Sequence, residues 1–344
     1  MKAVVIREHG GPECVRFEDI PAPTPGPGEA LIEVRAAALN HLDIWVRKGR
    51  PGMKLQYPHV LGSDLCGVVR ALGSGVDEIA VGDEVVLNPG LSSGRGEYCF
   101  RGEQSEEPGF GIVGLSRSGT FAERVVMPAG NLYPKPAHLT DEEAAALPLA
   151  YVTAWRMLFS KARMVPGETV LIHGIGGGAA LAGLQLAKLA AGEVIVTSSS
   201  DEKLERAMAL GADHAINYKT TPDVGAAVKE LTRGRGVDIA FDTVGAATWA
   251  INFASVRRGG RIVHCGITTG PTAEVNIQAL YWNQVSVHGS TMGSHEDFRR
   301  MVKAVANARM KPVVDSVLPL EKGPEAMARM EAGEQFGKIV LKVG

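Results

Sequence analysis

Residues 167–190, GETVLIHGIGGGAALAGLQLAKLA, constrain the fold more than any other stretch. A short apolar run, Val170 to Ile172, meets a turn containing Gly174, Gly176, Gly177 and Gly178. The chain then enters an Ala/Leu-rich segment whose only charge between Leu181 and Ala190 is Lys188, and a second apolar run, 193–197, follows. Strand, glycine turn, helix and strand in this order open a dinucleotide-binding fold. Glycine permits positive φ and a close backbone approach, and the first helical turn offers unpaired N–H groups to a pyrophosphate. So uncharged a helix is expected to lie buried against the sheet.

The pattern continues downstream. Strands are expected at 215–217, 237–241, 261–265 and 285–288, with helices over 201–210, 223–231, 248–256 and 296–306. Alternation at these intervals predicts a doubly wound parallel sheet. Thr140-Asp-Glu-Glu143 has the form of a capping box and predicts a helix over 141–160, bent or interrupted near Pro148. Ser199 to Glu202 reads as another capping box.

The first third of the chain differs. Short strands at 4–7, 15–19, 30–38, 67–71 and 120–126 are separated by Gly/Pro turns and by PAPTPGPG at 21–28, which predicts a mostly β domain. A last strand at 337–343 is expected to return to it. With 344 residues, two domains are the expectation. A formal charge of −2 gives no global attraction for nucleic acid or anionic membranes. Cys14, Cys66, Cys99 and Cys265 are too scattered for a disulfide framework, and no apolar run approaches membrane-spanning length. These features predict a soluble, cytoplasmic protein.

Two clusters carry candidate chemistry. Thr197, Ser198, Ser199 and Ser200 stand where an NAD-selective site commonly places an acid for the ribose hydroxyls. Hydroxyls can donate hydrogen bonds to a 2′-phosphate and Lys203 is near, so NADPH is favoured, with NADH possible because Asp201 lies in the same stretch. The other cluster is Asn40, His41 and Asp43, followed by Tyr57, His59, Ser63, Asp64 and Cys66. These residues read either as a metal site or as a loop whose polar groups cap local backbone. His173, at the strand–turn junction, reads better as a packed histidine than as a catalytic acid.

Taken together, ALNHLDIW, YPHVLGSDLCGVV, VGDEVV, AALPLAYVTAWRML, VLIHGIGGGAALAGLQLAK, LGADHAINY and the terminal FGKIVLKV resemble the medium-chain dehydrogenase/reductase superfamily over nearly the whole chain. The resemblance implies a GroES-like domain over 1–140, completed by 312–344, and a Rossmann domain over 141–311. Zinc-dependent members bind catalytic metal through a Cys in C-H-x-D, a His in G-H-E and a later Cys before V-T. Here those three positions hold Asn40, Ser63 and Leu149. The four cysteine positions of the family's structural zinc lobe hold Ser93, Gly96, Cys99 and Glu107, which implies a polar loop held by turns and packing.

No zinc is therefore expected, and the chain looks like the zinc-free quinone oxidoreductase branch. That branch implies NADPH-dependent reduction of a quinone, enone or related small carbonyl compound. It also implies catalytic or cleft roles for Asn40, His41, Asp43 and Tyr57. Gly176, Gly177 and Gly178 would meet the diphosphate, and Ser199, Lys203 and Tyr218 the 2′-phosphate. Thr153, Cys265, Gly266 and Ile267 would lie near nicotinamide, and Lys338 near the cofactor. Ala180 replaces the last glycine of the branch's fingerprint. Relatives commonly form homodimers or homotetramers through the nucleotide-domain sheet edge, near 285–288. An alcohol dehydrogenase with an atypical zinc site and a noncatalytic NADPH-binding regulator remain the alternatives.

Overall fold

The computed structural model describes residues 1–344 and divides them into two compact units. The first comprises Met1–Ala150 with Gly293–Gly344, and the second Tyr151–Met292.

The first unit is mostly β. Its larger sheet runs Leu132–Pro134, Glu84–Leu87, Asp64–Leu72, Glu29–Ala38, Lys338–Lys342 and Val314–Pro319, with Arg124–Pro128 also paired to Glu29–Ala38. The returning tail is thus an interior strand. Ala38 is the register point that matters: it lies opposite Asp64 on one side and Val340 on the other. Asn40, Asp64 and Lys338 consequently meet at one end of the sheet. A three-stranded sheet, Arg16–Asp19, Lys2–Ile6 and His59–Val60, shares the core, where Val4, Ile32, Leu61, Leu65, Phe121 and Leu341 pack together.

The second unit is a six-stranded parallel sheet in the order His214–Asn217, Glu193–Ser198, Thr169–Ile172, Val237–Asp242, Val256–His264, Ser286–Gly289. The first strand made lies in the middle and the chain winds outward both ways, which is the doubly wound order. Gly183 allows helix Gly178–Leu189 to lie close to this sheet, since a Cβ there would sit 3.1 Å from the Phe241 ring.

Several expectations shift. The helix expected over 141–160 is Asp141–Ala145, then Pro148–Trp155, then a π-helical stretch, Arg156–Lys161. Pro148 starts a helix instead of bending one, because its missing N–H is harmless in a first turn. The helix expected at 296–306 is His295–Ala308, and it belongs to the first unit, not to the nucleotide sheet. The strand expected at 120–126 begins only at Arg124, because the Phe121 backbone is engaged by Leu61 and Val4. The residue that caps the N-terminus of helix Asp201–Ala209 is Ser200, whose Oγ accepts from Lys203 N at 3.3 Å, so Ser199 does not cap it. Thr140 and Glu143 do form the reciprocal box. No helix is long and apolar enough to cross a membrane.

Candidate active site

In the first unit the site is a closed polar centre. Asn40 precedes helix His41–Lys48, and the Asp43 carboxylate turns back to accept from Asn40 N at 2.7 Å and from Gly62 N at 3.0 Å. Asn40 Nδ2 donates to Asp64 Oδ2 at 2.9 Å, while Leu149 N donates to Asp64 Oδ1 at 2.8 Å. Lys338 Nζ donates to Asn40 Oδ1 at 2.5 Å and to Asp64 Oδ2 at 3.0 Å. All four polar side chains are buried. Burial pushes the Asp43 carboxyl up to about 7, against the lowering effect of the Asn40 N–H and the Lys338 charge.

The other sequence candidates divide between surface and core. His41 stays exposed on the first turn, and desolvation by the surrounding protein, followed by the Lys338 charge, holds its ring below the ordinary histidine range. Tyr57 is exposed too, and its ring meets His9 edge-on with centroids 6.1 Å apart.

The remaining members of the possible metal cluster are occupied separately. His59 Nε2 is 2.8 Å from Gly114 O, Ser63 Oγ donates to Val113 O at 2.7 Å, and Cys66 Sγ is 3.6 Å from Asp141 Oδ1. No group of three or more His, Cys, Asp and Glu side chains is arranged to hold a metal ion. Amide, hydroxyl and aliphatic groups at the customary ligand positions do not fit zinc, whose protein sites use thiolate, imidazole and carboxylate.

The lobe at 90–112 has likewise exchanged its donor set. Ser93 Oγ and N both donate to the Glu107 carboxylate, and Cys99 Sγ lies 3.6 Å from Glu107 Oε2. Ser93, Cys99 and Glu107 therefore converge through hydrogen bonds, with Cys99 carried on helix Glu97–Phe100.

The second unit supplies the nucleotide cradle. Gly174 and Gly176 have φ of +65° and +124°, a region costly for side-chain-bearing residues. A Cβ on Gly177 would find only Gly174 O, at 4.0 Å, so the backbone leaves an open hollow before helix Gly178–Leu189. No side chain caps that helix and its first turn has no acid. Unpaired N–H groups and the helix dipole fit a pyrophosphate there. Ala180 is buried and the helix is continuous through it.

At the end of strand Glu193–Ser198, Asp201 Oδ1 accepts from Asn217 Nδ2 at 2.6 Å. Tyr218 is exposed beside it, and Ser199 is half-buried. Thr153 is on helix Pro148–Trp155. Cys265, Gly266 and Ile267 follow strand Val256–His264, with the Cys265 thiol raised to about 12 by burial and then by the Asp242 charge. Gly266 runs so close to Thr243 that a Cβ would come within 1.9 Å of its carbonyl oxygen.

Sequence reasoning missed the network under this loop. Asp242 Oδ1 accepts from Val244 N at 2.7 Å and Gly245 N at 3.2 Å, and Oδ2 from Thr248 Oγ1 at 2.7 Å and Asn252 Nδ2 at 2.5 Å. Asn252 Oδ1 is 3.0 Å from His173 Nε2, and His173 Nδ1 is 3.2 Å from Thr197 Oγ1. His173 is the packed histidine expected. An acid closing the apolar run 237–241 was the available signal.

Sequence comparison agrees with this architecture. Residues 26–137 match the alcohol dehydrogenase GroES-like domain, and 178–307 match the zinc-binding dehydrogenase domain. The chain belongs to the medium-chain dehydrogenase/reductase superfamily.

Within that superfamily it is 35% identical to a zinc-type alcohol dehydrogenase-like protein of Schizosaccharomyces pombe, over 100% of this chain and 99% of that one. It is 31% identical to a crotonyl-CoA carboxylase/reductase of Cereibacter sphaeroides, over 95% of this chain and 83% of the relative. Among solved structures, an NAD-dependent alcohol dehydrogenase superposes with a TM-score of 0.95 at 46% identity, covering 100% of both chains. The protein is thus a superfamily oxidoreductase with an NAD(P)-binding Rossmann domain and without the zinc donor set.

Proposed function

We propose that the protein reduces a quinone or a conjugated enone with NADPH, without a bound zinc ion. The observation that supports this reading is the donor set at the customary ligand positions: Asn40 is closed into hydrogen bonds with Asp64 and Lys338, Ser63 Oγ donates to Val113 O, and Leu149 offers only its backbone N–H. Bound NADPH would supply hydride equivalents. The chain's own task is to hold the cofactor and to receive the negative charge that develops on substrate. Gly176, Gly177 and Gly178 would bind the pyrophosphate. Ser199, Lys203 and Tyr218 would bind the 2′-phosphate, a reading supported by Asn217 holding Asp201. Thr153, Cys265, Gly266 and Ile267 would flank the nicotinamide.

A conjugated acceptor suits such a site, since its charge spreads to an oxygen that needs hydrogen-bond donors instead of a Lewis acid. Asn40 and Lys338 are committed to one another and to Asp64, so His41 and Tyr57 are the exposed groups of the N-terminal set able to serve that oxygen. Asp43, satisfied by backbone, holds the loop.

For assembly, the favoured partner is a second copy. Strand Ser286–Gly289 is a free sheet edge carrying no lysine, arginine or proline, and Val287, Ile277, Tyr281 and Trp282 are exposed near it. Such an edge invites pairing. Four free cysteines fit a reducing compartment, here taken as the cytoplasm.

The test is a screen of NADPH and NADH oxidation with quinones, enones, aldehydes and ketones, with zinc measured on the same sample. NADPH-dependent turnover of quinones or enones without stoichiometric zinc is expected. Zinc-dependent alcohol oxidation, or cofactor binding without turnover of any acceptor, would reject the proposal.

A further inference from the structure

Three strands of the nucleotide unit end in polar side chains turned to the interior. His173 follows Thr169–Ile172, Thr197 lies in Glu193–Ser198, and Asp242 closes Val237–Asp242. Asn252, on helix Ala246–Ser255, completes the set, and none of the four is more than 2% exposed. Side chains so buried find their partners in one another, and that fixes the direction of every bond. A carboxylate only accepts, so at Asp242 Oδ2 it is Asn252 Nδ2 that donates, at 2.5 Å. Asn252 Oδ1 is left as an acceptor and takes the proton of His173 Nε2 at 3.0 Å. Burial holds the His173 ring below the ordinary histidine range, so its Nδ1 is bare and accepts from Thr197 Oγ1 at 3.2 Å. Thr197 Oγ1 in turn accepts from Gly174 N at 3.4 Å.

The chain of bonds therefore begins at Gly174, where φ of +65° opens the glycine turn. It ends at Asp242 Oδ1, which accepts from Val244 N and Gly245 N. That second turn carries the 265–270 loop: Thr269 N donates to Val244 O at 3.0 Å, Cys265 N to Asp242 O at 3.1 Å, and a Cβ on Gly245 would lie 3.1 Å from Gly266 O. We infer that His173 is a positioning residue for the bound nucleotide, tying the glycine turn to the Val244–Gly245 turn and setting the spacing between them. The inference rests on the reading that Gly176, Gly177 and Gly178 meet the pyrophosphate while Cys265, Gly266 and Ile267 flank the nicotinamide. A nucleotide that touches both stretches binds more tightly when their spacing is preset, because less ordering is left to binding. Phenylalanine at 173 would fill the space and leave the Thr197 hydroxyl and the Asn252 amide oxygen with nothing to join them.

Nitrogen NMR of the full chain, labelled at its histidines, reads the ring without nucleotide, so it decides the chain of bonds apart from the cofactor reading. The His173 signal is identified by its loss in His173→Phe or its shift in Thr197→Val. It should show a protonated Nε2 and a bare Nδ1 at pH 7; a charged ring, or one protonated at Nδ1, would overturn the inference. Affinity then separates positioning from general damage, since NADPH reaches both turns whereas 2′,5′-ADP has the adenosine end alone. His173→Phe and the milder Thr197→Val should each weaken NADPH about fivefold, the scale of one net hydrogen bond, and leave 2′,5′-ADP within about twofold of the parent. Equal weakening of the two ligands, or unchanged NADPH affinity in either folded variant, would show that the ring only fills the core.

Discussion

Replacing Asp242 with Asn changes one atom of the side chain and should unsettle the whole nucleotide-binding unit. The carboxylate accepts four hydrogen bonds and is fully buried. In the variant the amide oxygen can keep Val244 N and Gly245 N. The new NH₂ then faces Asn252 Nδ2 at the place where Oδ2 accepted at 2.5 Å, donor against donor. Thr248 has an escape, since its hydroxyl already reaches Gly245 O at 3.0 Å; Asn252 has one only by turning its amide over, which aims Nδ2 at His173 Nε2 and commits that ring to donating from Nδ1 to Thr197 Oγ1, and without that turn its Nδ2 is left unpaired. A buried donor left unpaired costs about 1–3 kcal/mol, and exchanging charged for neutral acceptors adds ~1 kcal/mol. The sum is about 2–4 kcal/mol. At roughly 3 °C per kcal/mol for a unit of this size, the transition should fall by about 6–12 °C. Calorimetry at pH 7 measures it directly. A second, paired measurement is NADPH affinity, because Val244 and Gly245 form the turn that packs on the Ile267 loop. A transition within 1 °C of the parent would show that the network does not hold the turn.

Three further outcomes are expected. Gly177→Val should fold with stability within ~1 kcal/mol of the parent, because φ there is ordinary and the hollow is open, yet bind NADPH at least about tenfold more weakly through lost pyrophosphate approach; fluorescence titration that finds unchanged affinity would remove the pyrophosphate from this turn. Lys203→Ala should weaken NADPH by about tenfold and leave NADH nearly unchanged, as expected for one lost charge-assisted contact to a 2′-phosphate, and equal effects on the two cofactors would sink the specificity reading. Acid should destabilise the nucleotide unit: burial keeps His173 below its ordinary value of 6.5, so its stabilising contribution is present above that value and is lost as pH falls. Asp242 acts in the same direction, since burial alone would raise its carboxyl but the His264 ring and the Val244 N–H hold it well below the usual 3.8; its contribution is lost below that. Asp43 has the opposite sign, being raised to about 7 by burial, so its contribution is full below 3.8 and lost on rising to neutral pH. A calorimetric series from pH 4 to 8 in which the nucleotide unit gains stability on acidification would contradict these assignments.

Much of the fold was legible because it rests on local physics. The glycine turn at 174–178, the Thr140 box and the strand–helix alternation each depend on residues a few positions apart, and the doubly wound sheet follows from them. The returning tail strand was also expected. What sequence could not supply was register. The alignment of Val340 and Asp64 on Ala38 brings Lys338 onto Asp64 and Asn40, a pairing no local pattern encodes. The same limit hid the Asp242 network, whose members come from separate strands and a helix. Helix His295–Ala308 was placed with the wrong unit, because an amphipathic pattern shows that a face is buried but not against what. Among the candidates, Asn40 and Asp43 came together as one centre, whereas Tyr57 lies with His9.

The strand Lys338–Lys342 lies between Glu29–Ala38 and Val314–Pro319, yet a ribosome makes it after all its neighbours. Until then the 36–38 end of strand Glu29–Ala38 has one flank unclaimed and Asp64 has no ammonium, while the second unit already possesses every strand of its own sheet. Maturation should run against the order of synthesis: the later-encoded nucleotide module closes first, and the earlier-encoded module waits for strand Lys338–Lys342. Nascent chains stalled before Lys338 should accordingly be cleaved by protease in the leading segment and resist it across Tyr151–Met292.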